Sequence, residues 1–150
     1  MTAPEIIQKI IYMTLATANA EGQPWNTPVF CAYDQDFNFY WGSSKTSRHS
    51  KNISANPRVF ISIYDSTVPA GEGEGVYIKA KAQELSSPAD RRFAHNLLQA
   101  RRIIPFWKEE YFSDESPIAL YKAVPEKVWV NDGQKINGVY EDIRKEVRLP

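Results

Sequence analysis

Hydrophobic and polar positions alternate most cleanly between Gly75 and Leu85. Val76, Ile78, Ala80 and Ala82 share one face there, and Tyr77, Lys79, Lys81 and Gln83 share the other. A period of two predicts a half-buried strand. The same signal recurs over Tyr12 to Ala18, over Asn26 to Tyr33, and over Arg58 to Tyr64 with Val59, Ile61 and Ile63 on one side. The aromatic run Phe37 to Trp41 reads as another short strand, closed by Gly42-Ser43-Ser44. Ile118 to Val130, interrupted by Pro125, reads as a final strand or strand pair, and Asn131-Asp132-Gly133 as a turn. Pro28 removes a ladder donor, so its strand lies at an edge or bulges there.

Helical spacing is scarcer. Thr2 to Glu5 forms a capping-box pattern with a proline in the first turn, followed by Ile6, Ile7, Ile10 and Ile11 on one face. Ser87-Pro88-Ala89-Asp90 repeats that pattern and opens a helix to about Arg102, with Phe93, Leu97 and Leu98 as packing residues. Ser47 caps a short helix to about Ala55, which Asn56-Pro57 ends. A further short helix is expected over Pro105 to Phe112, and the tail from Tyr140 is charged and weakly amphipathic. Residues 65–75 read as an acidic, glycine-rich loop with no Lys-Ser/Thr pair, hence not a phosphate loop. Many short strands with few helices predict a mainly β fold, an antiparallel barrel or a β-rich α+β domain spanning 1–150.

Charge changes the picture at one place. The chain carries 18 Lys and Arg against 18 Asp and Glu. Yet Phe37 to Tyr64 holds no acid, while carrying Lys45, Arg48, His49, Lys51 and Arg58. A helix start has unpaired N–H groups and a partial positive charge, so acids are preferred there. Cations beside Ser43, Ser44, Thr46 and Ser47 instead suit an external phosphate. Two readings stay open on spacing alone: a phosphate site, or a solvated basic helix paired with acids elsewhere.

Zero net charge and a pI near 6.7 argue against a general nucleic-acid or membrane-surface binder. No apolar run approaches the roughly 20 residues of a membrane span. The N-terminus lacks a basic leader pattern, and the single cysteine, Cys31, fits a reducing compartment; a cytoplasmic location is expected. With two histidines, His49 and His95, and no paired-cysteine motif, no metal site is expected.

The ordered run from Leu15 to Ser66 carries a resemblance. It contains Ala16-Thr17, Gly22, Pro24-Trp25-Asn26-Thr27-Pro28-Val29-Phe30, Asp36-Phe37-Asn38-Phe39-Tyr40-Trp41, Ser43-Ser44-Lys45, His49-Ser50-Lys51-Asn52-Ile53 and Asn56-Pro57-Arg58-Val59. In this order the chain resembles the pyridoxamine 5′-phosphate oxidase-related flavin-binding split barrels. The resemblance extends to Leu85 and weakens beyond it. It implies a six-stranded antiparallel split β-barrel with short flanking helices, forming a homodimer with FMN, or alternatively F420 or FAD, at the interface. Ser47, Arg48 and His49 match the Ser-Arg-Lys that starts the phosphate-binding helix, with Ser44 before it and Lys51 able to supply the missing cation. Asn26, Thr27, Pro28 and Val29 match the segment whose backbone follows the isoalloxazine ring. Tyr40 and Trp41 match the strand end that also lines the flavin, and Trp129 matches an aromatic reaching the partner's flavin.

Two departures bear on the activity implied. Where true pyridoxamine phosphate oxidases place an arginine and a lysine at the ends of the second-strand segment, this chain has Asn26 and Cys31. It also lacks their Arg-x-His motif, having only Arg144 and Arg148 in its tail. Both argue against pyridoxamine phosphate itself as substrate. The implied function is a flavin-dependent oxidoreductase of unnamed substrate and unnamed catalytic residues. The alternative is a flavin carrier or sensor. A nucleic-acid binder using Lys45 to Lys51 is a third reading, disfavoured by the neutral charge.

Overall fold

The computed structural model describes residues 1–102 and 107–150. Helix α1 (Ala3–Lys9) starts on the expected capping box, with Thr2 and Glu5 bonding reciprocally. Ile6 and Ile7 are buried, but the helix stops at Ile10 and leaves Ile11 exposed. Strand β1 (Tyr12–Ala18) then pairs antiparallel with β2 (Pro24–Phe30). The segment breaks at Cys31, whose N–H donates to the Ile11 carbonyl, and resumes as β3 (Ala32–Tyr33).

That break closes the barrel. Strands β4 (Phe39–Ser44), β5 (Arg58–Tyr64), β6 (Gly75–Glu84) and β7 (Ile118–Asn131) give the order β2-β1-β5-β6-β7-β4-β3, antiparallel throughout. Strands β2 and β3 lie at opposite ends of this order yet are one stretch of chain. The residues from Pro24 to Tyr33 therefore join both edges, and counted as one strand they complete the six of a split barrel. Its interior holds Met13, Leu15, Phe39, Trp41, Ile61, Ile63, Val76, Ile78 and Ala123. Helix α1 and one face of helix α2 (Arg48–Ala55) pack against this core through Ile6, Ile7 and Ile53.

Several boundaries differ from the sequence reading. Phe37 sits at φ 57°, inside a turn that Asp34 organises by accepting from the N–H groups of Asp36 and Asn38, so β4 begins only at Phe39. Gly42-Ser43-Ser44 do not break β4; they pair with Leu120, Ala119 and Ile118 of β7. Strand β7 passes unbroken through Pro125, because the register slips opposite it between Lys79 and Ala80 and relieves the missing N–H.

In helix α3 (Pro88–Arg101) the buried residues are Ala94 and Leu98, whereas Phe93 is 50% exposed and meets Tyr40 edge-on. Part of the helix expected over 105–112 lies outside the described residues; within them Glu109–Tyr111 makes a single 3-10 turn. The charged tail forms strands. Strand β8 (Gln134–Ile136) and β9 (Val139–Glu141) make a hairpin turning at Asn137-Gly138, both at positive φ, and β10 (Arg144–Val147) pairs with β7.

Candidate functional site

Helix α2 is fixed at both ends and on one flank. The Ser47 hydroxyl accepts from the Ser50 N–H, and Asn56 closes the last turn. Asn52, buried, donates from Nδ2 to the Thr17 hydroxyl at 3.0 Å, which ties the helix to β1. The first turn contains no acid. The N–H groups of Arg48 and His49 open the helix and have no intrahelical acceptor.

The hydroxyls beside this turn form a connected set. Ser44 and Thr46 share a 2.9 Å hydrogen bond, and the Ser47 hydroxyl donates to the Ser44 carbonyl at 2.8 Å. The His49 Nε2 lies 2.7 Å from the Ser43 hydroxyl and 3.3 Å from that of Ser47. Burial lowers the pKa of His49, so at neutral pH the imidazole stays uncharged. His49 therefore supplies no cation at the place where the resembling motif has lysine.

Arg48 supplies one. Its guanidinium lies over the Trp25 ring, 4.7 Å from the centroid, at the start of β2. The cation thereby joins the helix start to the strand. Along β2 the side chains alternate: Asn26 and Pro28 face outward, whereas Thr27 points to the interior with Val29, which is buried in the core. Pairing register extends two rows across the outer face from these positions. One runs Pro28, Thr14, Ser62, Tyr77, Trp129; the other runs Asn26, Ala16, Phe60, Lys79, Lys127. Thr14, Ala16 and Ser62 make the face beside Pro28 low and flat. Phe60 and Trp129, stacked at 6.2 Å, rise at its far side.

The remaining expected residues fall elsewhere. Trp129 shares the row with Pro28, four inter-strand steps along it, about 19 Å measured around the curved sheet. Tyr40 is 3% exposed, with its hydroxyl donating to Asp34 at 2.8 Å. Trp41 is fully enclosed, stacked on Tyr121, and its indole N–H has no acceptor among the described residues. Lys51, one helical turn from Arg48, lines a groove with Lys45, Ser50, Gln83, Glu84 and Tyr121. Cys31 is 1% exposed, and burial pushes its thiol up to about 12, so the end of β2 offers neither cation nor nucleophile. Sequence reasoning missed Trp25, an aromatic that directly precedes Asn26 and stays 44% exposed at the start of β2.

The match to known proteins agrees with this architecture. The model of the pyridoxamine 5′-phosphate oxidase family matches residues 2–131. The chain belongs to that family. Among solved structures it is similar to ChuZ of Campylobacter jejuni, with 18% identity and a TM-score of 0.72 over 93% of this chain and 60% of that one. It is similar to the heme storage protein HutZ of Vibrio cholerae, with 20% identity and a TM-score of 0.61 over 85% and 90%. An F420 reductase aligns at 18% identity and a TM-score of 0.64 over 85% and 96%. At these identities the likeness is one of fold. Comparison with curated proteins yields no match. Among the described residues no helix is long and apolar enough to cross a membrane.

Proposed function

We propose that this protein binds FMN, with the phosphate at the start of α2 and the ring along the outward face of β2, and that it acts as a flavin-dependent oxidoreductase in the cytoplasm. The observation that carries this reading is the Arg48–Trp25 contact, which sets the one cation of an acid-free helix start beside the strand. An FMN phosphate is held by a helix start, a guanidinium and hydroxyls, and this chain provides Arg48, the N–H groups of Arg48 and His49, and Ser44 and Ser47. From Trp25 to Pro28 the strand advances about 10 Å, a span that a ribityl chain covers. The flat patch of Pro28, Thr14 and Ser62 then meets a planar ring without obstruction. Lys51, one helical turn from Arg48, lines the groove beside β6, and Arg48, stacked on Trp25, is the cation assigned to the phosphate.

Bound flavin supplies hydride or electron transfer. This chain's residues hold the phosphate, present β2 backbone to the ring and cover one side of it. A second copy completes the other side: a two-fold pairing of outer faces brings Trp129 of one chain toward Pro28 of the other. The family match supports a flavin-type cofactor, and the similar F420 reductase makes F420 the first alternative, with FAD after it. A carrier or sensor role has its own support. Asn26, Pro28, Thr14 and Ser62 offer no group that titrates between about pH 4 and 9, so proton transfer there rests on cofactor or substrate.

The test is the visible absorption spectrum of the purified protein followed by an FMN titration. Flavin bands or saturable binding support the reading. A colourless protein that does not bind FMN overturns it, and F420 is then titrated in the same way.

A further inference from the structure

A pocket of about 420 Å³ opens beside the flat patch, toward the end of β2 opposite Trp25. Its origin is in the strand pairing. The β1–β5 ladder ends at Thr14 and Ser62, yet β1 reaches back to Tyr12 and β5 runs on to Tyr64. The two strands are unpaired with each other there, and the pocket is lined from both. It shares Thr14, Pro28 and Ser62 with the patch, so pocket and patch are continuous.

Two aromatic side chains stand at it. Alternation puts Tyr12 on the face of Thr14 and Tyr64 on the face of Ser62, and they are 55% and 51% exposed. Phe30 braces Tyr12 edge-on, with 6.1 Å between ring centroids. Neither tyrosine hydroxyl has a hydrogen-bond partner among the described residues. The charges of the lining, by contrast, are closed on each other. They are Lys9 and Asp65. The Lys9 Nζ lies 2.7 Å from Asp65 Oδ2, and Oδ1 accepts from the N–H and the hydroxyl of Thr67.

We infer that this pocket seats an uncharged planar molecule, an aromatic ketone or similar conjugated carbonyl, against Tyr12 and Tyr64, with its oxygen accepting from a tyrosine hydroxyl. Aromatic pairing favours a flat ring over an aliphatic one of similar size by about threefold to tenfold. A charged ligand loses water and gains little, because Lys9 and Asp65 already satisfy each other. A molecule held here lies against the patch of Pro28, Thr14 and Ser62, where the substrate of a bound flavin belongs. That role, unlike the binding itself, rests on the flavin reading above.

The test is calorimetric titration of the full chain with acetophenone, alongside benzoate as its charged counterpart and cyclohexyl methyl ketone as its non-planar one. Saturable binding of acetophenone is expected, with both counterparts weaker by about threefold or more. Tyr12→Ala and Tyr64→Ala should each weaken acetophenone by about threefold to tenfold, and the double change to Phe should restore the stacking but not the hydroxyl contribution. On the FMN-loaded protein acetophenone should shift the visible flavin band without displacing FMN. The inference fails if acetophenone does not bind up to about 10 mM, if either counterpart binds as tightly, if both alanine variants bind normally, or if FMN competes. Binding that leaves the flavin band unmoved overturns the substrate role. Acetophenone binding to a chain that takes no FMN upholds the pocket and sinks the flavin reading; FMN binding without acetophenone binding does the reverse.

Discussion

The guanidinium of Arg48 lies over the indole of Trp25, 4.7 Å from the ring centroid, although the two residues belong to different elements. Trp25 is 44% exposed, so the pair is open to solvent on one side. Stacking fixes the guanidinium plane and leaves its in-plane N–H groups available to an anion. Arg48→Ala should weaken FMN binding by about tenfold or more, because a charge-assisted bond to the phosphate is lost. Arg48→Lys should recover only part of it, since an ammonium does not stack and fork in the same way. Flavin fluorescence titration distinguishes these outcomes; equal affinity in all three proteins removes Arg48 from the phosphate site.

A second prediction concerns Trp129. Within one chain it stands four strands along the ladder from Pro28, about 19 Å measured around the sheet, and the proposed seat draws it from a second copy. Trp129→Ala should lower FMN affinity, and dilution of the unaltered protein should release FMN as dimers dissociate. Analytical ultracentrifugation in parallel with flavin fluorescence checks both. FMN affinity independent of Trp129 and of protein concentration contradicts the shared site.

The third prediction addresses how α2 is held. The Asn52 amide donates to the Thr17 hydroxyl at 3.0 Å in a buried setting. Asn52→Ala removes the donor and leaves a buried hydroxyl short of a partner, which destabilises the fold by about 1–3 kcal/mol. Urea unfolding should show a lowered midpoint with an unchanged slope. FMN affinity should fall too, because the helix start loses its anchor on β1. A variant as stable as the parent would show that Ile53 packing alone holds the helix.

Much of this arrangement was legible in residue order. Alternation over 75–84 and 58–64, the Ser47 and Ser87 caps and the turn before Pro57 are local signals, and the chain obeys them. The acid-free helix start was legible for the same reason. What was not legible is long-range. Phe37 reads as strand by type, but its backbone follows the turn that Asp34 hydrogen-bonds. Pro125 reads as a strand break, but the extra residue beside it, Glu126, is absorbed as a bulge opposite Lys79 and Ala80, and that pairing partner is another strand. Asn137-Gly138 was a local turn signal that the tail's charge obscured. In the site, Lys51 looks interchangeable with Arg48 along the sequence. Their contacts separate them, Arg48 stacking on Trp25 of β2 and Lys51 lining the groove beside β6, and those depend on which strands α2 lies between.

The last prediction is a pH dependence at His49. Desolvation lowers its folded pKa, while the unfolded chain titrates near the ordinary value of about 6.5. Above that value the imidazole is neutral in both states, and its Nε2 remains bonded to the Ser43 hydroxyl at 2.7 Å. As pH falls through 6.5 the unfolded chain takes up the proton first. The folded state then binds fewer protons than the unfolded one, and stability declines as the pH drops toward the folded pKa. Below it both states are protonated and this contribution changes no further. His49→Gln should keep a polar contact to Ser43 while removing the titration. Its urea midpoint should therefore fall less than the parent's between pH 7.5 and pH 5.5. Parallel slopes in the two proteins over that interval would mean that His49 is solvated enough to titrate alike in both states.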